Sequence, residues 1–252
     1  MDALAEGHYY RKQLGCKSGI IAWSHRSRFE LALRLIGPSA RTLLDYGSGD
    51  GTFLAMAAPR LTVGWGADIT PVQITDCQTR FASLTNLRFS TIGALDDPSH
   101  TAAYEVVTCM ETLEHCTAPV VEIVLRDLAR LVARDGRIII SVPIEVGPTF
   151  PIKAVVRRLA AWRGLSDYRY YESYSLPDAL RMVFAGRSTT FDRPVYGAPE
   201  SPAHSHYGFN WRAMRERVRE HLVVEKTLFS PLGWLGGWVS SQAWFVCRPR
   251  PD

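Results

Sequence analysis

Leu43-Leu44-Asp45-Tyr46-Gly47-Ser48-Gly49-Asp50-Gly51-Thr52 decides the fold of this 252-residue chain. The apolar run from Thr42 to Tyr46 has the length and content of a short buried strand. Three glycines at alternate positions break it, and Thr52-Phe53-Leu54-Ala55-Met56-Ala57 opens a helix. Glycine reaches positive φ without penalty and lets a ligand come close to the backbone. Strand, glycine turn and helix N-terminus in this order hold a nucleotide-like ligand at the carboxyl edge of a parallel sheet. A dinucleotide fingerprint would run G-x-G-x-x-G/A and cradle a pyrophosphate. Here the sixth position is Thr52 and the glycines run G-x-G-x-G. Asp45 stands two positions before the first glycine. A carboxylate there repels phosphate and attracts an ammonium group, so the turn favours a ligand with a cationic end and no phosphates.

The string Asp45-Tyr46-Gly47-Ser48-Gly49-Asp50-Gly51 resembles the first motif of class I S-adenosylmethionine-dependent methyltransferases. The resemblance implies an α/β, Rossmann-like fold. It would have a seven-stranded, mostly parallel sheet with an antiparallel last strand and helices on both faces. It also implies S-adenosyl-L-methionine as the cofactor. Gly47, Ser48, Gly49 and Gly51 would shape the turn around its methionine end, and Asp45 would take the amino group.

A second strand, Leu61 to Asp68, ends in an acid 23 residues beyond Asp45. That spacing across an intervening helix suits the two ribose hydroxyls. Ile69 can lie against the adenine. Thr70-Pro71 starts the next helix, with Thr70 as cap. After the third strand, Leu87 to Ile92, the family often carries an acidic residue that reads the adenine amino group. Here Gly93 stands in its place, so the backbone of Gly93-Ala94, or Asp96 displaced by two, would do that work.

The fourth strand, Tyr104 to Met110, leads into Glu111-Thr112-Leu113-Glu114-His115. Its Met-Glu-x-Leu-Glu-His string is similar to that of ubiquinone-type and related small-molecule methyltransferases. Strand four then borders strand one, which brings Met110, Glu111 and His115 to the methyl group. His115 titrates near neutrality and suits a general base; a helix-capping structural histidine is the alternative. Cys109, His115 and Cys116 lie close in sequence, but no fourth ligand stands at a sensible spacing, so no metal is expected.

Thr117 to Arg134 has strong helical periodicity, and Arg137 to Pro143 is a fifth strand of the kind buried on both faces. The segment before the next strand is far longer than a plain α/β connection needs, so 146–221 reads as an inserted substrate cap. It holds a basic stretch at 152–163, then Tyr168, Tyr170, Tyr171 and Tyr174, a helix capped by Ser175, a loop with His204 and His206, and a helix capped by Asn210. Residues 1–36 read as an N-terminal arm and helix over the site, with helix from Arg28 to Ile36. Substrate candidates are Tyr10, Trp23, His25 and Arg28 from the arm, and Tyr171 and His206 from the cap. Two closing strands, Val223 to Phe229 and Gln242 to Cys247, would form the hairpin whose last strand runs antiparallel. The apolar connection at 231–239 suits an interface or a membrane-facing patch.

Composition narrows the classes. A hydrophobic share of 46% and a charged share of 21% fit one globular α/β domain over 1–252. The net charge of +4 permits an anionic partner without demanding nucleic acid. Five scattered cysteines suggest cytoplasmic thiols rather than a disulfide framework. No signal sequence and no long apolar run is visible. The expected acceptor is a small molecule or a lipid- or glycan-linked one, methylated at O, N or C. The expected location is cytoplasmic, with peripheral membrane contact through 152–163 and 231–239 left open. A nicotinamide-dependent oxidoreductase and a catalytically silent binding protein on the same fold are the rivals; RNA is disfavoured because no basic-aromatic surface is evident.

Overall fold

The computed structural model describes residues 2–15, 19–151, 153, 155, 175–197 and 202–251. Helix α1 spans Asp2–Ala5 and α2 Gly19–Ile36. Strand β1 (Thr42–Tyr46) is followed by α3 (Thr52–Ala57), β2 (Val63–Asp68), α4 (Pro71–Arg80) and β3 (Leu87–Thr91). Then come β4 (Tyr104–Met110), α5 (Ala118–Leu131) and β5 (Val132–Pro143). Helix α6 (Leu176–Val183), the short strands β6 (Val195–Tyr196) and β7 (Ala203–His204), and α7 (Trp211–His221) precede the closing strands β8 (Leu222–Ser230) and β9 (Gln242–Pro249).

The main sheet is seven-stranded in the order β3-β2-β1-β4-β5-β9-β8. The first five strands are parallel, β9 runs antiparallel to both neighbours, and β8 forms the edge. This is the expected architecture, the closing hairpin included. Neighbouring residues face opposite cores because strand side chains alternate. Leu43, Val106, Ile139 and Trp244 join the layer with α2, α3 and α4. Leu44, Val107, Ile140 and Phe245 join the layer with α5 and α7. Each fully buried Leu, Ile or Phe contributes about 1.5–3 kcal/mol, so the sheet is fixed from both faces.

Three local readings are corrected. Helix α2 begins nine residues before Arg28, at Gly19. In its first half Ser24 Oγ lies 3.3 Å from Ser241 Oγ, a contact that apolar periodicity does not report. Helix α5 stops at Leu131, because Val132 is buried and pairs with Tyr104 as the first residue of β5. Thr70 occupies the N-cap position of α4 without a capping hydrogen bond; its own N–H donates to Asp68 Oδ1 at 2.9 Å. The caps at Ser175 and Asn210 do form: Ser175 Oγ accepts from Asp178 N, and Asn210 Oδ1 accepts from Arg212 N. Helix α7, placed with the cap by sequence, packs on the sheet instead, with Trp211 and Val218 in the core and Glu122 of α5 held by Arg217 and His221.

Candidate active site

The β1–α3 turn sits at the carboxyl end of the central strands. Gly47, Gly49 and Gly51 have φ of +78°, +54° and +70°. A Cβ at Gly47 would collide with the Thr112 side chain, which belongs to the turn after β4. At Gly49 a Cβ would meet no atom within 4 Å, so that part of the turn faces open space. Gly47 N and Ser48 N both donate to Ala67 O, at 2.8 and 3.0 Å, and tie the turn to the end of β2. Asp68 closes the same gap with its side chain: Oδ2 accepts from Gly49 N at 3.0 Å.

Asp45 is 2% exposed and accepts a hydrogen bond from Thr108 Oγ1 at 2.7 Å. Burial pushes its pKa up from 3.8 to about 7; the Thr108 bond opposes this and the negative charge of Asp68 adds to it. The hydroxyl of Ser48 is buried and has no hydrogen-bond partner. A hidden carboxylate short of positive charge, an orphaned hydroxyl and an open glycine thus border one spot.

A second cluster stands beyond β4. Glu111 has φ of +51°, held there by its N–H to Ser141 O at 2.9 Å. Its carboxylate accepts from Ser141 Oγ at 3.1 Å and pairs with Arg28 Nη1 at 3.2 Å. Arg28 also meets the hydroxyl of Tyr9, which lies 2.7 Å from His25 Nδ1. Tyr9 N donates to Asp50 Oδ2 at 2.8 Å, so the arm touches the glycine turn and the β4 turn together. Burial lowers the pKa of His25, and Glu111 partly offsets this.

Glu114 is fully buried and neither of its carboxylate oxygens has a hydrogen-bond partner. Burial holds its pKa well above the usual carboxylate range, with the negative charge of Glu111 adding to it. His115 Nδ1 lies 3.0 Å from His204 O, which fixes the proton on Nδ1 and leaves the lone pair on Nε2. Burial lowers the pKa of His115, so the ring is neutral at pH 7. The His206 ring stands 5.1 Å from that of His115, and His206 Nδ1 lies 3.6 Å from Glu145 Oε1. Arg193 ties this segment down by donating to the carbonyls of Glu114, Ser205 and Tyr207.

The family profile described as "Methyltransferase domain" matches residues 22–184. The chain belongs to this methyltransferase family. It is a class I S-adenosylmethionine-dependent methyltransferase. Over 115 residues the methyltransferase is 33% identical to the ubiquinone biosynthesis O-methyltransferase of Nitrosomonas europaea, covering 42% of this chain and 45% of that protein. The chain therefore matches less than half the length of that curated relative. Among solved structures, the PH0226 protein of Pyrococcus horikoshii OT3 aligns with TM-score 0.57 and 14% identity, covering 96% of this chain and 98% of the other. The geranyl diphosphate C-methyltransferase of Streptomyces coelicolor A3(2), solved with Mg2+, geranyl diphosphate and S-adenosyl-L-homocysteine, aligns with TM-score 0.55 and 14% identity, covering 99% and 86%. At such identities these structures speak to the fold.

Within the methyltransferase, Asp45, Gly47, Ser48, Gly49, Gly51, Asp68 and Met110 gather at the carboxyl edge of β1, β2 and β4. Ile69 is 68% exposed beside them. Gly93 and Ala94 lie in a 3-10 turn after β3; Asp96 is 84% exposed near Arg130, which leaves the backbone pair as the adenine-side candidate. Glu111, His115, His25, Arg28 and His206 belong to the second cluster. Two arm residues do not join it. Trp23 is 48% exposed, and Tyr10 packs with the N-terminal apolar layer. Tyr9 rather than Tyr10 stands in the cluster, against His25, Arg28 and Asp50. Tyr171 and most of 152–163 lie outside the described residues.

Burial raises the thiol pKa of both Cys109 and Cys116. The structure brings together Glu114, His115 and His206, with potential ligand atoms within 4.8 Å of one another. Sequence spacing hides this set, because His206 arrives from a distant loop.

Proposed function

We propose that this methyltransferase transfers the methyl group of S-adenosylmethionine to a hydroxyl oxygen of a small-molecule acceptor. The observation that carries the reading is the pairing of two clusters across β1 and β4. One is an open glycine turn beside the buried carboxyl of Asp45; the other is the His115 imidazole beside the buried carboxyl of Glu114.

The residues present fit a zwitterionic thioether nucleoside. Asp45 would take the amino group, which supplies the missing positive charge. Ser48 Oγ and the backbone of Gly47 and Gly49 would line the methionine end. Asp68 retains free lone pairs for ribose hydroxyls beyond its two backbone bonds. Gly93-Ala94 and Ile69 would border the adenine. When bound, the cofactor supplies an electrophilic methyl on a sulfonium, so the chain's task is alignment and deprotonation.

His115 Nε2 would accept the acceptor's proton, with Nδ1–H anchored on His204 O. Glu111, fixed by Arg28 and Ser141, would orient the hydroxyl. The arm (1–36) would close over the cofactor, and part of 146–221 would cover the acceptor. A hydroxyl acceptor agrees with the name of the Nitrosomonas relative, an O-methyltransferase.

A second reading of the same cluster is favoured by the buried carboxylate of Glu114, which has no hydrogen bond and lies 3.8 Å from His115 Nε2. Glu114, His115 and His206 would then hold a divalent cation, with Glu145 orienting His206. Such an ion would lower the pKa of an acceptor hydroxyl and compensate the buried carboxylate.

The test is calorimetry with S-adenosylhomocysteine and with NAD, followed by methyl transfer to a panel of phenols with and without EDTA. Binding of S-adenosylhomocysteine, with phenol methylation lost in His115→Ala, supports the reading. Activity lost in EDTA and restored by Mg2+ or Mn2+ selects the cation. Cofactor binding without turnover on any phenol refutes the acceptor class, and NAD binding alone refutes the whole.

A further inference from the structure

The far edge of the sheet carries a feature that methyl transfer does not use. The β8–β9 connection runs through a 3-10 stretch, Gly233–Trp238, broken at Gly236 with φ of +59°. Trp234 is 82% exposed and Trp238 69%. An apolar loop buried beneath the arm would have hidden these indoles. Only the root of the loop is buried: Trp244 Nε1 donates to Ser230 Oγ at 2.9 Å, and Ser241 N to Ser230 O at 2.8 Å. The tip is thus apolar and wet on a locked base.

Behind the tip lies a cavity of about 490 Å³ between α2 and the end of β8. Leu31, Leu228, Phe229 and Trp234 form its apolar walls, and Ser27 and Arg34 its polar mouth. On α2, Trp23, Ser27, Leu31 and Arg34 recur at i, i+4, i+8 and i+11, which is one stripe of the helix. That stripe lies beside the core-facing one of Phe29, Ala32 and Ile36. Trp23 adds a third partly exposed indole. Arg34 is exposed and has no ion pair among the described residues. Other charges nearby include exposed Lys226, Glu30 one turn before Arg34, Glu225, which is paired with Arg248 at 2.7 Å, and Arg215, which donates to the cavity-lining Thr227 and pairs with Glu216 at 3.2 Å.

We propose that this edge, the Trp234/Trp238 tip with the Arg34-mouthed cavity behind it, docks the protein on a lipid bilayer with anionic headgroups. Indoles favour the boundary between headgroups and hydrocarbon, where the ring is dry and its N–H wet. A free guanidinium beside them meets an anionic headgroup, and the apolar cavity accepts an acyl chain. A protruding tip of two side chains suits insertion better than a flat protein contact of about 800 Å² per partner. None of the described helices is long and apolar enough to cross a membrane, so the contact is peripheral.

The edge is mechanically close to the candidate active site. Ser241, at the loop's root, touches Ser24 of α2, and Arg28 one turn on pairs with Glu111. Gln242, at the loop's root, pairs with Pro143 at the carboxyl end of β5, so docking presents the carboxyl edge of the sheet to the bilayer. The inference does not depend on which hydroxyl is methylated.

The experiment is co-sedimentation of the full chain with vesicles of phosphatidylcholine, with and without phosphatidylglycerol. Circular-dichroism melts serve as the fold control. The wild type should bind the mixed vesicles, and Trp234→Ser/Trp238→Ser should lower affinity by about tenfold or more, given the area two indoles bury. Arg34→Gln should cost about fivefold, on mixed vesicles only. If the double variant melts early, Trp234→Ser alone carries the test. Absence of vesicle binding by the wild type overturns the proposal. So does binding that these substitutions leave unchanged, since the contact would then lie elsewhere. A concentration-dependent dimer that the double variant dissolves, without vesicle binding, overturns it in favour of a second copy of this chain.

Discussion

Replacing Asp45 by Asn should make the free protein more stable and the cofactor complex weaker. The carboxyl is buried, keeps one hydrogen bond from Thr108, and has its pKa raised from 3.8 to about 7. In the unfolded chain it ionises near 3.8, whereas in the fold it stays protonated until about 7. Below both values there is no cost. As pH climbs between them, the unfolded state loses a proton that the folded state keeps, so stability falls. Above the folded value the loss levels off at about 4 kcal/mol, from about 1.36 kcal/mol per pH unit over roughly three units. Asn keeps the Thr108 bond and cannot ionise. Asp45→Asn should therefore melt above the wild type at pH 8, with the gap closing as pH falls toward 4. Cofactor binding should move the other way. An ammonium needs the ionised carboxylate, and losing that charge-assisted bond costs ~1.5–3 kcal/mol, or about 10- to 100-fold in affinity. Wild-type affinity for S-adenosylhomocysteine should itself weaken as pH drops through 7. Thermal melts at pH 4, 6 and 8 and calorimetry on both proteins supply the readouts. A variant that melts below the wild type at pH 8, or binds S-adenosylhomocysteine equally well, refutes this reasoning.

Other substitutions probe the remaining parts. Gly47→Ala should destabilise the fold by about 1–3 kcal/mol in urea titration, because φ of +78° is strained for alanine and the new methyl meets Thr112. Glu114→Gln cannot ionise and should melt above the wild type at pH 8, by the same linkage as Asp45→Asn, yet reduce methyl transfer by about 10- to 100-fold if the cluster holds a cation; full activity in that variant counts against the cation. Arg28→Met strips Glu111 of its partner and should cost about 3 kcal/mol of stability, with Arg28→Lys recovering part of it in the same melt. Asp68→Ala should weaken cofactor binding and also lower stability by about 1–3 kcal/mol, because it releases Gly49 N and Thr70 N.

Local chemistry made the sheet and the cofactor edge legible. Thr42 to Tyr46, the spaced glycines and the β-branched run of Arg137 to Pro143 each state their own conformation, and the strand order is what the resemblance to class I methyltransferases implies. Helix α2 was only half legible, because contacts such as Ser24 to Ser241 join segments far apart in the chain. Tyr9 and Tyr10 were indistinguishable for the same reason: the choice belongs to the phase of a short arm packed on Asp50.

By itself, then, the sequence determined the alternating strands and helices, the acidic glycine turn and the Met110 to His115 string. Each of these is written in contiguous residues whose backbone preferences do not wait for a partner. Only the tertiary structure decided that the carboxylate of Glu114 is buried without a hydrogen bond, that His206 joins His115, and that Arg28 clamps Glu111. It also decided that Trp234 and Trp238 face outward. These are meetings between segments far apart in the chain. They arise from packing and desolvation, which no local pattern of residues encodes.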